Sequence, residues 1–293
     1  MSTESVGARY RGLDAWPSRD ILDVFAEGQM AAIAAVRAAL PAIEAAGEAA
    51  TVRLRDGGRL VYAGAGTSGR LALLDGVELT PTFDWPPERI VTLMAGGETA
   101  LIRAVEGAED DREAAARDVA GARVVSADVM IAVAASGATP YTLAALGAAR
   151  RAGALGIGIA NNPGAPLLAA ADHPILLDTG AEAIGGSTRM KAGTAQKATL
   201  NLLSSLIMTK LGRVHDGYMV DLRATNAKLR RRSERMLIEI TGAGAAAAQE
   251  ALKRCDGRVK PAVLVLRGLS PDSAERALQA AGGSLRGALK TIE

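Results

Sequence analysis

Cysteine is nearly absent. The 293-residue chain has one, Cys255, which excludes an intrachain disulfide framework and any cysteine-rich metal site. Histidine is almost as scarce. His173 and His215 are the whole supply, which argues against a histidine-based metal centre. Aromatic residues make up 3% of the chain, too few for the stacking platforms that hold single-stranded nucleic acid. An excess of one charge is missing as well. Lys and Arg total 34 against 32 Asp and Glu, and a net charge of +2 creates no field for a polyanion. No apolar leader segment is visible, because Met1 to Trp16 carries Glu4, Arg9, Arg11 and Asp14. The longest uncharged stretches, such as 129–149, contain Ser136, Gly137, Thr139 and Pro140 and read as strand, turn and helix. The expectation is a cytoplasmic protein with neither nucleic acid nor membrane as partner, and with no metal or organic cofactor.

What is present is a globular composition, 49% hydrophobic and 23% charged, with length for about two domains or one large domain with appendages. Ser18–Ala50 reads as helix, with Ile33, Val36, Leu40 and Ile43 on one face and Pro41 interrupting it. Short apolar runs follow at 59–63, 89–94, 128–133, 155–159 and 175–177. They are apolar throughout, as strands covered on both faces are, and helical stretches separate them. The fold class is therefore α/β, a doubly wound and mostly parallel sheet of about five strands with right-handed crossovers. A long helix is predicted around Ser187–Lys210, with Leu200, Leu203, Ile207 and Leu211 as its apolar stripe and Gly212 as its C-cap. Beyond Val220 the pattern is helical, broken at Gly242, Gly257, Gly268 and Gly282-Gly283, and Ser270-Pro271-Asp272 reads as a helix start. The expected division is a helical segment 1–49, an α/β domain 50–221 and a small helical domain 222–293.

Three loops carry chemistry. The first strand runs into Gly64-Ala-Gly-Thr-Ser-Gly-Arg70, a G-x-G-x-x-G string. A dinucleotide site wants an acid at the end of the next strand, and that strand ends in Met94-Ala-Gly-Gly97. Gly66, Thr67 and Ser68 are better placed to hold an anion at a helix start, the bland alternative being a tight turn with a serine cap. The strand at 128–133 leads into a second such turn, with Ser136, Gly137, Thr139 and Pro140. Two hydroxyl-plus-glycine turns at the carboxyl ends of parallel strands favour a phosphorylated small molecule over two ordinary turns. The third loop, 180–197, places Ser187 and Thr188 at a predicted helix start with Arg189 and Lys191 close behind. These cations either pair with phosphate or are simply solvated.

The set Gly64-Ala-Gly-Thr-Ser-Gly-Arg70, Val105-Glu-Gly-Ala-Glu-Asp110, Ala134-Ala-Ser-Gly-Ala-Thr-Pro140 and Gly186-Ser-Thr-Arg-Met-Lys-Ala-Gly-Thr-Ala-Gln-Lys197 resembles the N-acetylmuramic acid 6-phosphate etherase family. The likeness extends to Met219-Val-Asp-Leu-Arg-Ala-Thr-Asn226, while the N-terminus and the Ala-rich tail match loosely. That family carries a sugar-isomerase (SIS) domain, and its group includes the glucokinase regulatory protein. The resemblance implies a carbon–oxygen lyase of peptidoglycan recycling. It removes D-lactate from the 3-position of the sugar and leaves N-acetylglucosamine 6-phosphate. It also implies Glu78 and Glu109 as the catalytic carboxyl groups and a homodimer with sites near the subunit interface. Around Glu78 the neighbours depart from the family pattern, reading Gly76-Val-Glu-Leu-Thr-Pro-Thr82.

The chemistry accords with two carboxyl groups. Breaking an ether at the carbon beta to a masked aldehyde calls for a base at the alpha carbon and an acid at the leaving oxygen. Asp75 lies at helical spacing from Glu78, and Glu106 and Asp110 lie near Glu109, so clustered acids are positioned to raise one pKa. Taken alone, each Glu is also compatible with a solvated helix face. Cys255 lacks an evident base, His215 reads as a surface or capping residue, and Lys228–Arg232 reads as a solvated basic turn. Two rivals share the phosphate loops: a sugar-phosphate isomerase, and a non-catalytic sugar-phosphate sensor.

Overall fold

The computed structural model describes residues 3–222 and 227–292. The first elements in chain order are α1 (Ser18–Ala38), α2 (Leu40–Arg55), β1 (Leu60–Gly64), α3 (Gly66–Phe83), β2 (Ile90–Met94) and α4 (Thr99–Ile102). Then come α5 (Arg112–Gly121), β3 (Val129–Ala134), α6 (Pro140–Arg151), β4 (Leu155–Ala160), α7 (Pro166–Ala170), β5 (His173–Leu176) and α8 (Lys191–Lys210). The remainder is β6 (Val214–His215), β7 (Tyr218–Met219), α9 (Ala227–Thr241), α10 (Ala245–Arg254), α11 (Val259–Leu266), α12 (Pro271–Ala280) and α13 (Leu285–Lys290). They form two compact units, Met1–Val77 with Glu88–Ser204, and Glu78–Pro87 with Ser205–Glu293.

The first unit is built on a parallel sheet of order β2-β1-β3-β4-β5. The expected α/β class and strand count are therefore present, each run within two residues of its predicted place. Its strands are apolar throughout because both faces are covered. On one face Val61, Ala63, Met130, Ala132 and Ala134 pack against Ala115 and Val119 of α5 and Tyr141, Ala145, Leu146 and Ala149 of α6. Helix α2 lies against β3, β4 and β5. The strand order reverses direction between β1 and β3, so the carboxyl ends of these two strands flank the topological switch point where open α/β sheets take ligands. Gly64 pairs with Val133, which starts the two following loops at one level.

The N-terminal helix breaks where Pro41 predicted a break, with a 57° bend between α1 and α2. The apolar face differs from the expected one. Val36 and Ile43 are buried at 3% and 2% exposure, but Ile33 and Leu40 stand out at 51% and 45%. The buried stripe is Ala32, Val36, Ala39, Ile43, Ala46, Ala50 and Leu54. Alanine permits close packing of this helix, and the break at Ala39 leaves the larger Ile33 and Leu40 outside the stripe. No single described helix is long and apolar enough to cross a membrane.

In the second unit, β6 and β7 form a hairpin around Asp216 and Gly217, both at positive φ as a two-residue turn requires. Helices α9 to α13 enclose a core that includes Met236, Leu237, Val259, Ala262, Leu264 and Leu285. Gly242, Gly257 and Gly268 break the helices at positive φ, and the Ser270 hydroxyl caps α12 by accepting from the Ser273 N–H at 3.2 Å. Lys260 Nζ is buried against Asp221 Oδ2 at 2.6 Å and the Gly283 carbonyl at 2.7 Å. Asp221 thus anchors the start of the segment 219–226, whose last four residues lie outside the described ones. Cys255 is buried, and burial pushes its thiol pKa up, away from nucleophilic reactivity.

The glycine loop depends on one close approach. A Cβ on Gly69 would stand 2.4 Å from Met94 Sδ and 2.7 Å from the Gly64 carbonyl oxygen, so α3 reaches β1 only because Gly69 has no side chain. Gly69→Ala should cost about 1–3 kcal/mol by overpacking, read as a lower denaturant midpoint at unchanged m-value. An unshifted midpoint would show that the crossing can relax.

Candidate active site

The Ser/Thr turns sit at the ends of β1 and β3. After Gly64, α3 begins at Gly66, which takes a φ of 53°. Thr67 is half-buried and Ser68 buried within this first turn, where backbone N–H groups have no intrahelical partner. After β3, Ser136 Oγ accepts from the Ala138 N–H at 3.2 Å. Gly137 takes a φ of 66°, and a Cβ there would meet the Ala165 Cβ at 2.4 Å. Its carbonyl accepts from Leu167 N–H at 2.9 Å, which pins the turn to α7. Thr139 occupies the N-cap of α6 and Pro140 its first turn, as predicted, although the Thr139 side chain makes no capping bond.

The third loop departs from expectation. The helix begins at Lys191, so Ser187 and Thr188 lie in tight turns ahead of it and not at its start. Their backbones are committed to those turns: Met190 N–H donates to the Ser187 carbonyl at 3.1 Å and Gly193 N–H to that of Thr188 at 2.8 Å. The anion at this helix start comes from the chain itself. Glu182, 1% exposed, accepts from the Lys191 N–H at 3.2 Å and the Ala192 N–H at 2.9 Å. A buried carboxylate there satisfies two orphan donors and the helix dipole together. Lys191 is buried, and its stem runs beside Gly28 of α1. Arg189 is exposed. The loop nevertheless reaches the first one, since the Thr67 methyl lies beside Gly193.

Glu109 is exposed on a single turn of 3₁₀ helix, Ala108–Asp110, entered through Gly107 at a φ of 70°. It borders a cavity of about 400 Å³ whose lining also includes Gly66, Arg70, Ala95, Val105 and Glu106. Glu109 and the glycine loop therefore share one space. Glu78 is exposed on α3, between Val77 and the buried Leu79. It lies 12 residues beyond Gly66 on the same helix, which at 1.5 Å per residue is about 18 Å along the axis. The structure does not bring Glu78 to the glycine loop of its own chain.

Comparison with known proteins identifies the family. The model of the glucokinase regulatory protein N-terminal SIS domain matches residues 43–150, and the SIS domain model matches 111–206. An N-acetylmuramic acid 6-phosphate etherase of Deinococcus radiodurans is 56% identical over 285 residues, 97% of this chain and 93% of that protein. One of Geobacillus thermodenitrificans is 45% identical over 291 residues, 99% of each. The chain belongs to the N-acetylmuramic acid 6-phosphate etherase family. A phosphoheptose isomerase from Francisella tularensis superposes with a TM-score of 0.50 at 22% identity, over 66% of this chain and 100% of that one, and shares the fold.

Several residues around this etherase-family site gave little signal in the sequence. Asp75 is a buried hub that accepts from Tyr62 Oη at 3.0 Å, Asn201 Nδ2 at 2.7 Å and Ser204 Oγ at 3.1 Å, tying β1, α3 and α8 together. Burial raises its pKa, and the three donors only partly oppose that. This rise comes from desolvation and not from neighbouring acids. Asn162, just past β4, donates to the Ser136 carbonyl at 3.4 Å and to Thr3 Oγ1 at 3.1 Å, and accepts from the Thr3 N–H at 2.9 Å. The polar pair Asn161-Asn162 at a strand end was the one local cue. Arg70 donates through Nε and Nη2 to the Ala100 carbonyl, at 3.0 and 2.8 Å, and through Nε to that of Leu101 at 3.2 Å. It thereby ties the first loop to α4, which leads into the Glu109 turn. Glu182→Ala should strand two buried N–H groups and lower stability by about 1–3 kcal/mol per unsatisfied donor. Chemical denaturation would detect this, and a loss under 0.5 kcal/mol would mean that water replaces the carboxylate.

Proposed function

We propose that this protein cleaves the D-lactyl ether of N-acetylmuramic acid 6-phosphate by elimination and hydration. The observation that carries the reading is the cavity shared by Gly66 and Glu109, at the end of β1 where the strand order reverses. Gly66 lines that cavity, and with Thr67 and Ser68 at the start of α3 and Ser136, Gly137 and Thr139 in the turn after β3 it holds the 6-phosphate. Ser187 and Thr188 close the rim. Backbone N–H groups and hydroxyls suit a phosphate without a metal.

With the phosphate held there and the sugar ring opened, Glu109 takes the C2 proton. The C3–O bond breaks, its electron pair leaves with the lactyl oxygen, and Glu78 protonates that oxygen. A C2–C3 double bond conjugated with the aldehyde remains. Water adds at C3 and a proton returns to C2, giving N-acetylglucosamine 6-phosphate and D-lactate. The proton count closes, and no redox partner is needed. Phosphorylated sugars are retained by membranes, so the same reading places the enzyme in the cytoplasm.

Helix geometry adds a condition. A hexose phosphate does not span the roughly 18 Å between the start of α3 and Glu78, so Glu78 serves a site whose phosphate loops belong to a second copy. Leu74 and Val77, exposed at 47% and 49%, flank Glu78 on α3 and offer an apolar surface for that homodimer.

Glu78→Gln and Glu109→Gln should each lose about 10²–10⁴-fold in lactate release while retaining 6-phosphosugar binding. Mixed dimers of the two variants then decide the arrangement. One site of the mixed dimer regains both carboxyl groups only if Glu78 acts across the interface, so roughly half of wild-type activity is expected. A mixed dimer as inactive as its parents would place both groups in one chain.

Isotope labelling tests the bond that breaks. In ¹⁸O water, solvent oxygen should appear at C3 of the sugar and lactate should keep the ether oxygen. Label in the lactate would mean attack at the lactyl carbon and would remove both carboxyl roles.

A further inference from the structure

The cavity beside Glu109 contains a cation that no carboxylate neutralises. Arg70 lines it, and Nε and Nη2 are spent on backbone carbonyls, which leave the guanidinium charge intact. Nη1 has no hydrogen-bond partner among the described residues, and no described ion pair joins Arg70 to Glu106 or Glu109 across the same space. A guanidinium fixed at two nitrogens and open at the third is preorganised to receive an anion.

Resting on the activity proposed above, we infer that Arg70 Nη1 binds the carboxylate of the substrate's lactyl group. The connectivity of that substrate requires such a neighbour. The lactyl carboxylate is joined to C3 through one ether oxygen and one carbon, and C3 is bonded to C2. A base acting at C2 therefore works within a few ångström of the carboxylate. Glu109 and Arg70 line one cavity, so a substrate with C2 at Glu109 presents its lactyl arm to Arg70. Glu106 and Glu109 repel that carboxylate, which keeps it on the Arg70 side and off the atom Glu109 must reach. Ala95 and Val105, which also line the cavity, have apolar side chains and add no competing side-chain donor. Arg70 thereby distinguishes a lactyl ether from a sugar bearing a neutral ether, through a group remote from the bond that breaks.

The test is a cycle of two enzymes and two substrates, the natural lactyl ether and its lactamide counterpart, whose arm is neutral. Wild type should lose about 10- to 150-fold in kcat/KM on passing to the amide, the range of a hydrogen bond to a charged group. Arg70→Gln should lose a similar factor on the natural substrate and then discriminate little between the two. Any structural damage affects both substrates equally and cancels from the ratio. If Arg70→Gln does not fold, Val105→Asp places a negative charge on the exposed cavity wall and should shrink the ratio in the same direction. Full discrimination by either variant, or none by wild type, overturns the assignment. Failure of the underlying reading looks different: wild type releases no lactate from the natural substrate at all.

Discussion

The approach of α3 to β1 across Gly64 and Gly69 is the contact on which the candidate site depends. A side chain at Gly69 would push α3 off the strand end, with the Gly64 carbonyl 2.7 Å from its first atom. Ala95 N–H donates to that same carbonyl at 3.1 Å, so β2 is fixed by the group that the helix must pass. From this crossing follow the first turn at Gly66 to Ser68, the reach of Arg70 to α4, and the placing of the Glu109 turn. The loop is therefore a packing solution first, and the anion site proposed for it comes second. The glycines serve both ends, as they bring helix and strand together and leave the backbone N–H groups uncovered.

Electrostatic accounting separates the three loops, which look alike as strings of Gly, Ser and Thr. The start of α8 is already neutralised by Glu182, whose carboxylate lies on its first N–H groups. The dipole of that helix is spent on holding the loop, and an added phosphate there would face a buried negative charge. The start of α3 has no such internal anion among the described residues. Two helix starts with similar composition thus differ in whether the chain supplies its own anion, and for α8 one residue nine positions upstream does so.

That contrast also explains what could be read in advance. Strands apolar on both faces, glycine breaks in the C-terminal helices, and the Ser270-Pro271 start are all local, set by residues within one turn or strand of the effect. They lie where periodicity and turn chemistry predict them. Ile33 and Leu40 were misplaced because burial depends on the partner surface. A close interface selects Ala32 and Ala39 and leaves the larger residues outside. Glu182, Arg70 and the Asp75 hub act through contacts distant in sequence, the Asp75–Ser204 bond spanning 129 residues. No spacing rule reaches that far. Ser187 and Thr188 fell ahead of the helix because their own carbonyls cap tight turns, a choice that composition does not distinguish from an N-cap.

Helix α3 imposes the last constraint. Its first turn faces the switch point of the sheet, and its third and fourth turns carry Leu74, Val77 and Glu78 outward. The helix rises about 1.5 Å per residue, so no side-chain rotamer carries Glu78 back over three turns to a ligand at Gly66. Leu74 and Val77 are about half exposed, so covering them would recover half of the about 1.5–3 kcal/mol that full burial of such a side chain is worth. The activity proposed above asks for a second copy seated on that face, which would cover the apolar side chains and bring the carboxyl group to a loop it does not reach in its own chain. In that proposed pair the stability of the association and the competence of the chemistry would rest on the same stretch of helix.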